Sequence, residues 1–97
     1  MTYNDTYGWI YSTTGSTDSK YAQYIRDIVD PAAMQLPAIH NTTYLFEIVH
    51  PNDPHIIPEA TGAWLIGCRQ ADGTMMSEYD LNFLALNLKG AIRPMIS

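Results

Sequence analysis

A carboxylate in the middle of a predicted strand is the residue of this sequence best suited to binding chemistry. Residues 43–49 alternate as a β-strand does, and both faces are largely apolar, so we expect a central strand. Glu47 is its only carboxylate and lies between Leu45 and Val49 on one face. A half-buried carboxylate must find a hydrogen-bond donor or raise its pKa. Two interpretations stay open: pairing with Arg69 or a neighbouring backbone group, or contact with a ligand hydroxyl.

The histidines and the single cysteine do not form a metal-binding pattern. His40, His50 and His55 lie in or beside predicted loops, and no zinc-type spacing relates them to Cys68. We therefore predict surface histidines and a buried structural thiol, since Cys68 lies in a predicted strand. A single cysteine excludes an intrachain disulfide and fits a reducing compartment.

A weaker binding feature is the pair Gly15-Ser16, which precedes a predicted helix and could hold an anion through free backbone amides. The sequence has no phosphate-binding loop of the G-x-x-x-x-G-K type and no G-x-S-x-G elbow. Its 5 basic and 10 acidic residues give a formal net charge of −5. Because proteins that bind nucleic acid alone usually carry a basic patch, we expect no independent nucleic-acid binding.

Size and composition predict one domain that spans residues 1–97. Hydrophobic residues make up 46% and charged residues 15%, which is too apolar for a disordered chain and sparse in charge for a fully solvated surface. No apolar run approaches the ~20 residues of a membrane span, and the first residues do not resemble a secretory signal. We therefore expect a cytoplasmic protein that does not contact a membrane.

The elements that would position these residues form an α+β pattern, an antiparallel sheet flanked by two helices. The first helix is predicted from Thr17 or Asp18 to Asp30, where Pro31 stops it, because apolar residues recur there at helical spacing. Ser77 begins a sequence that resembles a capping box, and a second helix with one apolar stripe follows it. The other predicted elements are strands at 7–13, 43–49 and 63–69, a connector at 31–42, a loop at 51–62 and a turn at 71–73.

Three segments of the chain carry a family resemblance when they are taken in order. Residues 9–16 have the sequence WIYSTTGS, residues 44–52 have YLFEIVHPN, and residues 64–69 have WLIGCR, with Asp72-Gly73 after them. In this order they resemble the adenylyltransferase domain of phage T4-type ATP-dependent RNA ligases. Residues 9–16 resemble the strand and GS turn after the family's nucleophile motif. Residues 44–52 resemble the third nucleotidyltransferase motif, h-h-F-E-h-h-x-P, and residues 64–69 are similar to the strand and turn that follow it.

The resemblance implies both a fold and a mechanism. The family's domain is an antiparallel sheet with helices that cradles ATP, and magnesium accompanies the nucleotide. A lysine in a K-x-D-G motif attacks the α-phosphate, forms lysyl-AMP and passes AMP to a 5′-phosphorylated RNA end. By this resemblance the nucleotide would contact Glu47 and Phe46 of the third motif, the glutamate through the ribose hydroxyls. Gly15 and Ser16 of the GS turn would contact it as well.

The sequence departs from the family at the catalytic motifs. K-x-D-G would stand before the first matching segment, E-G-x-V and K-x-K would stand after the last residue, and neither Lys20 nor Lys89 begins such a motif. Thr14 and His55 stand where the family has basic residues. A nucleophilic lysine cannot be replaced by nearby groups, and neutralising the phosphates needs the missing lysines. We therefore expect no catalytic residue in these 97 residues and no ligation by them alone.

Two functional hypotheses follow. The first is a middle fragment of an RNA ligase-like nucleotidyltransferase domain that is catalytically incomplete. The second is a stand-alone, non-catalytic domain that keeps the fold to bind a nucleotide or a protein, which the missing basic residues mildly favour. In either case a homodimer is expected, because a full ligase domain would add strands to both sides of this segment and exposed sheet edges pair with other chains.

Overall fold

The computed structural model describes residues 1–12, 20–49 and 62–88. Its strands are β1 (Thr2–Asn4), β2 (Gly8–Ile10), β3 (Thr43–Val49) and β4 (Gly62–Arg69), and its helices are α1 (Lys20–Ile28), α2 (Pro31–Met34) and α3 (Glu78–Asn87). The strands form one antiparallel sheet in the order β2-β1-β3-β4. The α+β class and the antiparallel sheet predicted from the sequence are therefore confirmed.

Strands β1 and β2 form a hairpin that the sequence pattern indicated only in part. Within the described part of the strand predicted at 7–13, only β2 is a strand, and residue 13 lies outside the described residues. Its partner β1 was not predicted. A side-chain turn fixes where β2 begins. The Oδ1 atom of Asn4 accepts hydrogen bonds from the backbone N–H groups of Thr6 at 2.8 Å and Tyr7 at 3.1 Å. Gly8 then adopts a φ of 76°, a conformation that glycine allows without strain.

Helix α1 confirms the first predicted helix over its described part. Ile25 and Val29 of the predicted apolar stripe are buried, Tyr24 and Ile28 are partly buried, and Ala22, which was not predicted in the stripe, is buried as well. The predicted N-caps Thr17 and Asp18 lie outside the described residues, as do Gly15 and Ser16. The buried stripe packs α1 against β3 and β4.

The connector predicted at 31–42 contains a one-turn helix, α2, so three described helices accompany the sheet where two were expected. The carboxylate of Asp30 accepts hydrogen bonds from the backbone N–H groups of Ala32 at 3.1 Å and Ala33 at 3.2 Å. Pro31 follows at the first helical position, where its missing N–H has no consequence. Helix α1 ends at Ile28, two residues before the predicted Asp30, and Pro31 begins α2.

Strands β3 and β4 form the longest pairing of the sheet, and a bulge interrupts it. Leu45 lies opposite Gly67, but Phe46 lies opposite Leu65, so Ile66 is an extra residue in β4. Both strands were predicted with nearly these bounds. Of the loop predicted at 51–62, only the last residue is described, and it belongs to β4.

One face of the sheet, which we call the covered face, packs against helices α1 and α3. Tyr44, Leu65 and Cys68 are fully buried on it. The other face, which we call the uncovered face, exposes Leu45 and Glu47. Strand β3 is central in the strand order, as expected, but Glu47 is exposed and not half-buried. The buried cluster of the covered face consists of Met1, Ile25, Val29, Met34, Leu36, Tyr44, Ala63, Leu65, Cys68, Leu81 and Leu88.

The chain after β4 turns back and enters α3 as the sequence predicted. In the turn, the carboxylate of Asp72 accepts hydrogen bonds from the N–H of Thr74 at 3.0 Å and from its Oγ1 at 2.6 Å, and Gly73 has a φ of 89°. Ser77 caps α3, because its Oγ accepts a hydrogen bond from the N–H of Asp80 at 3.2 Å. The predicted stripe of Leu81, Leu84, Ala85 and Leu88 faces the buried cluster. In the part of the chain that the structure describes, no helix is long and apolar enough to cross a membrane.

Candidate functional site

The uncovered face presents one carboxylate and one large aromatic side chain side by side. Glu47 in β3 lies directly opposite Trp64 in β4, so both side chains project from the same face of the sheet. Opposed residues of an antiparallel pair have Cβ atoms about 4.5–5.5 Å apart. Glu47 is exposed and Trp64 is partly buried. The arrangement places a hydrogen-bond acceptor and an indole at paired positions on one face of the sheet.

The indole of Trp64 leans along its own strand over a glycine. A Cβ atom placed on Gly62 would lie 3.3 Å from the Trp64 ring, which shows how closely the ring approaches the Gly62 backbone. On the other side, Leu45 and Met75 lie together over Gly67, where an added Cβ would be 3.1 Å from Leu45 Cδ1 and 3.4 Å from Met75 Cε. The carboxylate of Glu47 therefore projects from a face that also carries the apolar side chains of Leu45 and Trp64.

The geometry argues against one of the two interpretations of Glu47, its pairing with Arg69. Arg69 lies opposite Thr43, four positions along β3 from Glu47, which is on the order of 13 Å along a strand. Among the residues that the structure describes, Glu47 forms no ion pair with Arg69. An exposed carboxylate is solvated by water, so it needs no protein partner. Contact with a ligand hydroxyl stays a prediction.

The other residues expected to contact a nucleotide lie elsewhere. Phe46 is partly buried and packs against the cluster of the covered face. Since Glu47 projects from the opposite face, one ligand cannot lie against both side chains on the same side of the sheet. Phe46 therefore supports the strand that carries Glu47. Gly15 and Ser16 lie outside the described residues.

A groove of about 390 Å³ lies on the other side of the sheet, between its covered face, the connector after α2 and helix α3. Tyr44 and Cys68 form its fully buried floor, and Ile39 and Leu84 contribute apolar walls. No pattern in the sequence indicated this groove, because its lining comes from segments far apart in the chain. Its size lies within the range of small-molecule sites, about 300–1,000 Å³.

The ionisable groups of the groove floor favour their neutral forms. Burial raises the pKa of the Tyr44 phenol well above its ordinary range, and the nearby Cys68 raises it further. Burial also raises the pKa of the Cys68 thiol. A protonated thiol is a poor nucleophile. The prediction that Cys68 is a buried thiol is confirmed. The groove can hold an apolar group but provides no activated nucleophile at this position.

The described histidine lies at the surface, as predicted. Nδ1 of His40 accepts a hydrogen bond from the backbone N–H of Asp5 at 3.0 Å and lies 3.7 Å from Oδ2 of the same residue. His50 and His55 lie outside the described residues. Within the described ranges, no group of three or more His, Cys, Asp or Glu side chains converges on a metal position.

Comparison of the chain with models of known families, with curated proteins and with solved structures gives no match. The RNA-ligase resemblance therefore depends on the three sequence segments alone. The geometry of the uncovered face is compatible with more than one class of ligand. Among these classes, the resemblance favours a nucleotide.

Proposed function

We propose that this chain is the middle part of an RNA ligase-like nucleotidyltransferase domain, and that its uncovered face binds ATP without activating it. The observation that carries the proposal is that Glu47, whose side chain is exposed, lies opposite Trp64 on the same face of the sheet. An acceptor and an aromatic ring on one face complement the two parts of a nucleoside, the hydroxyl donors of the ribose and the flat base. The match of residues 44–52 to the third motif supports the same assignment.

ATP and magnesium are the cofactors of the parent family, and ATP is the ligand that the proposal assigns to this chain. Glu47 is the only carboxylate in β3 and β4, so a metal ion would reach this face with the phosphates of the nucleotide. The chain has no K-x-D-G lysine to attack the α-phosphate, so binding is not followed by transfer. A cytoplasmic location belongs to the same proposal, because the free thiol of Cys68 fits a reducing compartment.

The test is a titration of the chain with ATP and magnesium, followed by tryptophan fluorescence. The sequence has two tryptophans, and the variant Trp9→Phe leaves Trp64 as the only indole. We expect ATP to quench this signal and Glu47→Gln to raise the Kd about tenfold, because a charged acceptor is replaced by a neutral one.

The matched control is Glu78→Gln, the same substitution at an exposed residue of α3, which should leave the Kd unchanged. Adenosine and ATP should compete for one site, since the proposed contacts are to ribose and base. Failure of millimolar ATP to bind, or equal effects of the two Glu→Gln variants, would contradict the proposal.

A second candidate function is a non-catalytic protein-binding domain, and a separate feature of α3 favours it. Tyr79, Phe83 and Leu86 project from this helix and are 81%, 65% and 84% exposed. Large apolar side chains grouped in one place mark interaction surfaces more often than isolated ones do. Both functions can be present in one chain, because α3 packs against the covered face and Glu47 lies on the other.

A further inference from the structure

Helix α3 is apolar on two opposite sides. Its core side consists of Leu81, Leu84, Ala85 and Leu88. Tyr79, Phe83 and Leu86 follow one another at the i, i+4, i+7 spacing, which places them together on the opposite side. We call these three residues the outer stripe. The sequence analysis predicted one apolar stripe for this helix, and the outer stripe is an addition to it.

Such a helix is unusual at a protein surface. A surface helix typically has one apolar side and one polar side, whereas a helix that is apolar all round is buried between two layers. Isolated exposed apolar residues need no explanation, but the outer stripe runs along most of a ten-residue helix. The pattern therefore indicates that a second layer packs on α3.

The charges of α3 are confined to one end. Glu78 and Asp80 lie in its first turn, and the sequence from Leu81 to Leu88 has no charged residue. The polar neighbours of the outer stripe are the uncharged Asn82 and Asn87. A partner that lies along the stripe therefore meets acidic side chains at one end of the helix only.

We propose that the outer stripe is a homodimer interface in which α3 packs antiparallel against α3 of a second copy. A two-fold interface uses the same patch on both copies, and the stripe is self-complementary in this orientation. Tyr79 of each copy meets Leu86 of the other, and Phe83 lies beside the two-fold axis. This inference is independent of the proposed nucleotide site, because it uses no residue of the uncovered face.

The charge distribution selects the antiparallel orientation. A ten-residue helix is about 15 Å long, so antiparallel packing separates the two acidic first turns by more than the Debye length of about 8 Å at physiological salt. Parallel packing would bring Glu78 and Asp80 of the two copies together, and these like charges would repel. Antiparallel packing also opposes the two helix dipoles.

The area of the stripe is smaller than the area that a standard specific interface buries. Aromatic side chains bury about 150–250 Å² each, so two copies of the stripe provide on the order of 900 Å². Specific interfaces bury about 1,200–2,000 Å² in total. We therefore expect a weak dimer, with a Kd on the order of 100 µM.

The first experiment is sedimentation equilibrium of the chain from about 10 µM to about 1 mM. We expect a monomer–dimer equilibrium, and both Phe83→Ala and Leu86→Ser should raise the Kd at least about tenfold. The matched control for Tyr79→Ala is Tyr7→Ala, because Tyr7 is 78% exposed at the β1–β2 turn. Tyr79→Ala should weaken the dimer, and Tyr7→Ala should not.

The second experiment tests the orientation with cysteine variants that leave the stripe intact. In the antiparallel dimer Asn82→Cys lies near the axis, so a bismaleimide that spans about 8–10 Å should join two copies. Asn87→Cys lies more than about 10 Å of helix rise from its symmetry mate and should not be joined. Cys68 is fully buried, so the unsubstituted chain gives the background.

Three results would overturn the proposal: a monomer at every concentration, a dimer that the stripe substitutions do not weaken, or equal crosslinking of the two cysteine variants. The substituted side chains are exposed, and circular dichroism checks that each variant is folded. Phe83→Gln repeats the test if Phe83→Ala is not folded. The ATP titration is measured on the same variants, so failure of the dimer can be distinguished from failure of the nucleotide site.

Discussion

Tyr44 and Cys68 lie directly opposite each other across β3 and β4, and both are fully buried on the covered face. The Tyr44 hydroxyl donates a hydrogen bond to the carbonyl oxygen of Pro37 at 2.6 Å. This bond ties the connector after α2 to the centre of the sheet. Tyr44 and Cys68 are therefore two ionisable side chains in the fully buried part of the core.

The first prediction is that the chain loses stability at alkaline pH. Burial raises the pKa of both Tyr44 and Cys68, so the unfolded chain releases these protons at a lower pH than the folded chain. The contribution of the two neutral side chains to the free energy of unfolding is fully present below the ordinary cysteine pKa of 9.0. It is lost as the pH rises beyond that value.

Urea unfolding under reducing conditions measures this effect. The free energy of unfolding should fall steadily from about pH 9 to about pH 11. Tyr44→Phe removes one of the two groups, so its curve should be shallower above pH 10.0, the ordinary tyrosine pKa. A free energy of unfolding that stays constant to pH 11 would show that the pair is accessible to water when folded.

The second prediction concerns the hydrogen bond from Tyr44 to Pro37. At neutral pH, Tyr44→Phe should lower the free energy of unfolding by about 1–2 kcal/mol, since the donor is lost and the carbonyl is left without it. Tyr79→Phe is the matched control, because Tyr79 is exposed. Its effect should stay within about 0.5 kcal/mol. Equal effects would mean that the Pro37 contact does not stabilise the fold. Both variants are measured by urea unfolding at protein concentrations below the dimer Kd.

The third prediction compares two Gly→Ala substitutions. Gly73→Ala should lower the free energy of unfolding by about 1–2 kcal/mol, because the φ of 89° at this position strains any residue with a Cβ. Gly67→Ala should cost less, since the atoms nearest its added Cβ are the flexible ends of Leu45 and Met75. Thermal unfolding of both variants gives the order. A more damaging Gly67→Ala would show that the uncovered face is rigidly packed.

The sequence predicted the elements that have several periodic residues. Helices α1 and α3 and strands β3 and β4 each contain enough apolar positions to establish a period. Strand β1 and helix α2 are too short for that, and side-chain caps at Asn4 and Asp30 fix their bounds. The Asp30-Pro31 pair could have indicated α2, since an acidic N-cap followed by proline is a helix-start signal.

The sites were harder to predict than the elements. Both faces of β3 are apolar in sequence, so the pattern could not show which face the helices would cover. The exposure of Glu47 therefore required the tertiary structure. The groove also required it, because Ile39, Cys68 and Leu84 come from three separate segments. The outer stripe was not predicted either, although Tyr79, Phe83 and Leu86 recur at helical spacing, because the sequence pattern did not show that these residues are exposed.

The last prediction is that the chain does not form a covalent adduct with AMP. Adenylylation needs a lysine whose amine is free to attack the α-phosphate. The sequence has no K-x-D-G motif, and its two lysines, Lys20 and Lys89, precede Tyr21 and Gly90. Incubation with α-labelled ATP and magnesium should leave no label on the denatured chain. An RNA ligase that has its K-x-D-G lysine should be labelled in parallel. A labelled band from this chain, lost in Lys20→Arg or in Lys89→Arg, would identify a nucleophile outside the motif and contradict the proposal of binding without transfer.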